Sequence, residues 1–144
     1  TGEGPQSRPR PGTEKTGFGM RRALLVTHGN LGAELLSTAE LIVGPQGGVG
    51  VLSNKELSSE SLCEAIQTEL AAYGSDETII FLDVAGGSCL CACRTADWEA
   101  KRVRVISGVN LPMVLEYFHY RDKMPFDELV ERVVAKGRVG IQTM

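Results

Sequence analysis

The sequence predicts a three-layer α/β domain built on a parallel sheet, and three observations carry that prediction. Strand-sized runs rich in β-branched residues alternate with segments whose apolar residues recur every three or four positions, the pattern of βαβ units. One run, residues 78–82 (Thr-Ile-Ile-Phe-Leu), is apolar on both faces, as a central parallel strand is. The 144 residues suffice for one sizeable core but not for two of ordinary size.

Residues 1–19 are rich in Gly, Pro and polar groups and lack periodicity, so they read as a disordered tail, a linker or an expression remnant. The folded domain is taken as residues 20–144. Residues 23–27 (Ala-Leu-Leu-Val-Thr) form the first strand, and a helix follows with Leu35, Leu36, Ala39, Ile42 and Val43 facing inward. The glycine-rich run 44–50 follows a helix and precedes a strand. A phosphate-binding glycine loop has the reverse context, so this run is a helix stop and a turn.

Residues 49–53 are the second strand. Ser58 or Ser59 caps the next helix, with Glu60 in its first turn, Leu62, Ile66, Leu70 and Tyr73 as its inward stripe, and Gly74 as its stop. Residues 78–83 form the third strand. Gly86, Gly87 and Ser88 then turn into a helix that reaches about Trp98, and residues 103–106 make the fourth strand. The segment 108–112 leads into a helix around residues 114–120. Pro125 opens a last helix with Phe126, Leu129, Val130 and Val133 inward and Gly137 as its stop. Residues 138–144 alternate at period two and read as a short antiparallel edge strand, free to pair with another subunit. The sheet order expected for such a chain is 2-1-3-4, the flavodoxin-like arrangement.

Composition excludes several partners. A net charge of -3 with dispersed Lys and Arg provides no basic stripe for nucleic acid. The apolar runs fall far short of the roughly 20 residues that cross a bilayer. The first nineteen residues hold no apolar core of a secretory signal, so the expected compartment is the cytoplasm, where the four cysteines would be reduced thiols.

In open α/β sheets ligands bind beyond the carboxyl ends of the strands, where connection direction reverses. His28 immediately follows strand one, Asp83 closes strand three, and an order of 2-1-3-4 makes those strands neighbours. A carboxylate that accepts a proton from one imidazole nitrogen fixes the tautomer and leaves the other nitrogen free to attack. The amides of Gly87, Ser88 and Cys89 at a helix start, with the Ser88 hydroxyl, offer a cradle for phosphoryl oxygens, and Gly86-Gly87 lets main chain approach the anion closely. The chemistry indicated is phosphoryl transfer through His28. The second histidine, His119, lies inside a helical segment and reads as a packing or surface residue.

Other readings fit less well. On a helix Cys89 and Cys93 share a face while Cys91 points elsewhere, and structural zinc takes cysteines with about two to four residues between them, so the three read as small packing residues and no metal is expected. Histidine phosphatases carry arginine before the catalytic histidine, where this chain has Thr27. The cysteine-phosphatase signature sets its arginine one residue further from the cysteine than Arg94 lies from Cys89.

Several stretches in consistent order resemble the EIIA domain of the mannose-type sugar phosphotransferase system. They are residues 26–29 (Val-Thr-His-Gly), 33–36 (Ala-Glu-Leu-Leu), 38–40 (Thr-Ala-Glu), 81–83 (Phe-Leu-Asp) and 86–88 (Gly-Gly-Ser). Further along come 106–113 (Ile-Ser-Gly-Val-Asn-Leu-Pro-Met), 126–129 (Phe-Asp-Glu-Leu) and 137–140 (Gly-Arg-Val-Gly). The resemblance runs from about Arg21 to the end of the chain. It implies a homodimer with the last strand exchanged between subunits and phosphorylation of His28 by the phosphocarrier protein HPr. It also implies an orienting role for Asp83, phosphate contacts from Ser88 and neighbouring amides, and an EIIB domain as acceptor ahead of a sugar permease, the only link to a membrane. No cofactor is implied. Where the family carries Thr-Trp after the aspartate and Pro after Gly-Gly-Ser, this chain has Val84-Ala85 and Cys89. Those departures adjoin the site and leave an alternative role, in which a regulatory partner reads the phosphorylation state without sugar transport.

Overall fold

The computed structural model describes residues 21–54, 58–72, 77–84 and 102–144. Four parallel strands form one sheet in the order β2-β1-β3-β4, the expected arrangement. They are β1 (Arg21–Thr27), β2 (Val49–Ser53), β3 (Glu77–Leu82) and β4 (Val103–Ile106). Among the described residues the helices are α1 (Leu31–Val43), α2 (Ser59–Ala72), α3 (Leu111–Tyr120) and α4 (Phe126–Val139). The fourth strand of the sheet, β4, is at its edge, and β1 is buried along its whole length between β2 and β3.

Alternation along the strands divides the core in two. Ala23, Leu25, Ile79, Phe81 and Ile106 face one side, where they pack with Ala39 of α1, Met113, Val114 and Tyr117 of α3, and Phe126, Leu129 and Val133 of α4. Leu24, Val26, Ile80, Leu52 and Val103 face the other side, against Leu62, Ile66 and Leu70 of α2. Side chains of successive strand residues point to opposite faces, so a continuous apolar run is what a sheet covered on both faces requires. Phe81 and Tyr117 meet edge to face with ring centroids 5.8 Å apart.

The amino edge of the sheet is closed by buried arginines. Arg21 bonds Glu77 through Nε at 2.9 Å and the carbonyl oxygen of Arg121 through Nη1, and Arg22 pairs with Glu69 on α2 at 3.0 Å. A buried guanidinium is tolerated only with such partners. Arg21, Arg102 and Arg104 also surround the Phe126 ring at 5.4 to 5.9 Å.

Local signals account for the helix starts. Ser58 Oγ accepts the Ser61 amide at 3.0 Å, which makes Ser58 the cap of α2. Asn110 Oδ1 accepts the Met113 amide at 3.1 Å, with Pro112 in the first turn, so α3 begins at Leu111, earlier than the sequence pattern suggested. The other amide arm of Asn110 donates to the carbonyl of Gly137 at 3.0 Å and ties α3 to α4.

Three expectations change. Residues 138–144 do not form an edge strand: α4 runs through Gly137 to Val139, the amides of Gly140 and Ile141 still bond back to Lys136 and Arg138, and residues 141–144 pair with no strand. Gly137 is thus a packing position, since an added Cβ would lie 2.5 Å from Met113 Cγ, and its buried contact with α3 holds the helix past the point where glycine was expected to end it. In α1, Ile42 and Val43 are 59% and 41% exposed rather than inward. At about 100° per residue Ile42 falls roughly 80° off the line through Gly32, Leu36 and Ala39, and Val43 sits where the chain turns away at Gly44. Finally, Cys63 on α2 is disulfide-bonded, so the expectation of a reduced thiol does not hold for it. Tyr73, Gly74, the helix expected to reach Trp98 and residues 1–19 lie outside the described residues.

The Asn110 link predicts a measurable cost. Asn110→Ala removes the α3 cap and the bond to Gly137, and should lower unfolding stability in urea by about 1–2 kcal/mol, as lost caps do. Asn110→Asp keeps the cap but loses the donated bond and should fall between the two.

Candidate functional site

At the carboxyl edge of the sheet, parallel pairing sets Val26 beside Leu82, which brings the residues that follow each strand together. The chain leaves β1 at His28, turns at Gly29 with φ +57, and enters α1 at Leu31. That positive φ is one that glycine adopts at little cost. On the far side, the Val109 amide bonds the Leu82 carbonyl at 2.9 Å and pins the loop after β4 to the end of β3.

The result is a double hold on His28. One oxygen of Asp83, Oδ2, accepts the His28 main-chain N–H at 2.9 Å and stands 2.9 Å from ring Nδ1. Its other oxygen, Oδ1, accepts the Val84 amide at 3.0 Å. Burial raises the Asp83 carboxyl pKa, but the main-chain and ring hydrogen bonds from His28, the Val84 amide and the His28 charge outweigh it, so the net shift is downward from the usual 3.8. An ionised carboxylate only accepts, so Nδ1 carries the proton. In the neutral ring Nε2 then holds the lone pair. The His28 side chain is 66% exposed and that of Asp83 13%, so the ring is largely open to solvent while the carboxylate that holds it is sheltered.

Both residues singled out in the sequence as a catalytic pair are therefore in contact. The proposed phosphate cradle, Gly86, Gly87 and Ser88, lies outside the described residues, as do Cys89, Cys91 and Cys93. His119 stacks edge to face on Tyr120 on α3, with ring centroids 4.4 Å apart. Among the described residues, no cluster of three or more His, Cys, Asp or Glu side chains is placed to hold a metal ion, and no helix is long and apolar enough to cross a membrane. One side chain was not singled out beforehand: Thr27, 1% exposed, whose Oγ1 accepts the Gly32 amide at 2.7 Å across the turn that carries His28. A threonine just ahead of a helix start is a capping signal, although here it sits further back than a cap usually does.

The EIIA-man family model, described as a PTS system fructose IIA component, matches residues 22–134. The PTS system mannose-specific EIIAB component of Escherichia coli (strain K12) is 36% identical over 121 residues, 82% of this chain and 38% of that protein. The chain thus spans well under half the length of those mannose-specific relatives. The PTS system sorbose-specific EIIA component of Klebsiella pneumoniae is 23% identical over 81% of this chain and 86% of its own length. Among solved structures, phosphotransferase system component EIIA from Streptococcus agalactiae superposes with a TM-score of 0.77 at 29% identity, covering 86% of this chain and 97% of that one.

The depressed carboxyl makes a pH test. A group whose folded pKa lies below its unfolded value stabilises the fold above the unfolded pKa of about 3.9, and that contribution is lost as pH falls through the folded value. In urea unfolding, wild type should exceed Asp83→Asn at pH 7, and the gap should shrink by pH 3. An equal gap at both pH values would remove the ionic hold on His28.

Proposed function

The chain belongs to the EIIA-man family and is an EIIA-type component of a sugar phosphotransferase system, and on that premise we propose that it carries a phosphoryl group on His28 Nε2, taken from phospho-HPr and passed to an EIIB-type acceptor. The observation that supports this most is the 2.9 Å contact of Nδ1 with Asp83 beside an outward-facing ring. A proton fixed on Nδ1 leaves the Nε2 lone pair available in every neutral molecule instead of in a fraction of them.

In the forward step the Nε2 pair attacks phosphorus, the bond from phosphorus to the donor's nitrogen breaks, and its electron pair returns to the donor ring. The Nδ1 proton stays against Asp83, whose negative charge offsets the positive charge that develops on the His28 ring. Transfer to the acceptor runs the same exchange in reverse. Phosphoryl transfer asks mainly for alignment and charge stabilisation, which suits a ring held on one side by a sheltered carboxylate. Gly86, Gly87 and Ser88 complete the proposal as the cradle for the phosphoryl oxygens.

A homodimer belongs to the same reading. Among the described residues the outer edge of β4 has no strand neighbour, and Ile141 and Met144 are strongly exposed, so both a free edge and an apolar terminal segment are on hand.

The reading is tested by phosphorylation from phosphoenolpyruvate with enzyme I and HPr, read by intact mass. Wild type should gain one phosphoryl group, and His28→Ala none, with its fold kept. Asp83→Ala should slow labelling by roughly 10- to 150-fold, the barrier equivalent of a charge-assisted hydrogen bond of about 1.5–3 kcal/mol. Labelling of His28→Ala at the wild-type rate excludes His28 as the carrier. Sedimentation equilibrium of the same protein should give twice the chain mass.

A further inference from the structure

We propose that Thr27 is a positioning residue for His28, acting through the turn that carries the imidazole; this rests on His28 being the phosphoryl carrier. The turn from Thr27 to Gly32 is closed at its base by the Thr27 hydroxyl, which accepts the Gly32 N–H at 2.7 Å. Thr27 is itself fixed. Its carbonyl accepts the Asn54 amide at 2.9 Å, it lies in register with Ser53, and it is 1% exposed. The base of the turn is therefore anchored in the sheet, while Gly32 begins the part of α1 that packs on it.

Space at the base is equally constrained. A Cβ added at Gly32 would stand 3.0 Å from Thr27 Oγ1, 3.3 Å from Leu25 Cβ and 3.3 Å from Val51 Cγ1. Within the turn, Gly29 takes its positive φ and the Leu31 amide reaches the His28 carbonyl at 3.4 Å, a long and weak bond. The intrinsic bonds of the turn thus do little to fix His28, and its direction is set by two ties, Asp83 on the main chain and ring and Thr27 across the base. Both are needed for Nδ1 to meet Oδ2. If the base opens, the main chain of His28 drifts relative to β3, the Nδ1 contact loosens, and the tautomer protonated on Nε2 becomes populated. That tautomer keeps its lone pair on Nδ1, against Asp83, and has none on Nε2 to offer phosphorus.

Valine matches threonine in shape but not in its hydroxyl, so Thr27→Val isolates the bond, and Thr27→Ser restores it. The readouts are the His28 tautomer, from two-bond proton–nitrogen correlations in protein labelled with nitrogen-15 histidine, and the initial rate of phosphoryl transfer from phospho-HPr. Wild type and Thr27→Ser should show Nδ1–H alone. Thr27→Val should show a mixture and a transfer rate lower by about threefold to tenfold, the range that a net neutral hydrogen bond spans. A merely structural role would lower stability without moving the tautomer. If Thr27→Val does not fold, Gly32→Ala carries the test, because its methyl group presses on the same base and should produce the same mixture.

A folded Thr27→Val, or failing that Gly32→Ala, with the wild-type tautomer and rate overturns the proposal, as does a Thr27→Ser that behaves like Thr27→Val. Failure of the carrier reading looks different: wild type then takes no label on His28, whatever the tautomer of the variants.

Discussion

A single carboxylate oxygen of Asp83 accepts both the main-chain and the ring N–H of His28, and the geometry at the sheet's carboxyl edge depends on that shared acceptor. Two bonds to one oxygen define both where the residue sits and how its ring is turned. The cost of sheltering the Asp83 carboxylate is met by the donors around it, so it stays charged, and a charged acceptor is what dictates the ring's proton. Neither partner does this alone. An exposed histidine without the carboxylate would sample both tautomers, and a sheltered carboxylate without the donors would have its pKa raised by burial.

The fold makes the encounter possible by order and by length. Placing β1 beside β3 puts the carboxyl ends of these two strands next to each other although His28 and Asp83 are 55 apart in sequence. The pairing of β1 with β3 ends at Val26 and Leu82, so His28 and Asp83 follow within two residues of it. Rigidity comes from below: apolar faces on both sides of β1 and β3 hold the strands in register, and the buried arginines close the opposite edge. The site is thus a pair of short extensions from a stiff support, which suits a group that must be placed to within a fraction of an ångström.

Much of this was legible in the sequence. The sheet order and the pairing of His28 with Asp83 followed from strand patterns and from the rule that sites lie at the carboxyl edge. Boundaries and faces were harder. The period-two pattern after Gly137 suggested a strand because alternation over a few residues fits either structure, and only contact with Met113 shows that the helix continues. Ile42 and Val43 looked inward because an apolar count does not reveal where a helix outruns its sheet. Thr27 was passed over for a different reason: its hydroxyl reaches five residues ahead, and a capping signal read from sequence assumes a shorter step.

The outward pose of the His28 ring has a further consequence. If His28 is the carrier proposed above, a ring exposed in this way can be met in turn by two macromolecules from the same side. Solvent reaches it by the same route. On the proposed carrier reading, a phosphoramidate held there would be a charge in transit rather than one in storage, its useful life a race between encounter and hydrolysis. On that reading the exposed ring favours crowded surroundings in which donor and acceptor are abundant, and the concentration of partners would set how much of each group arrives.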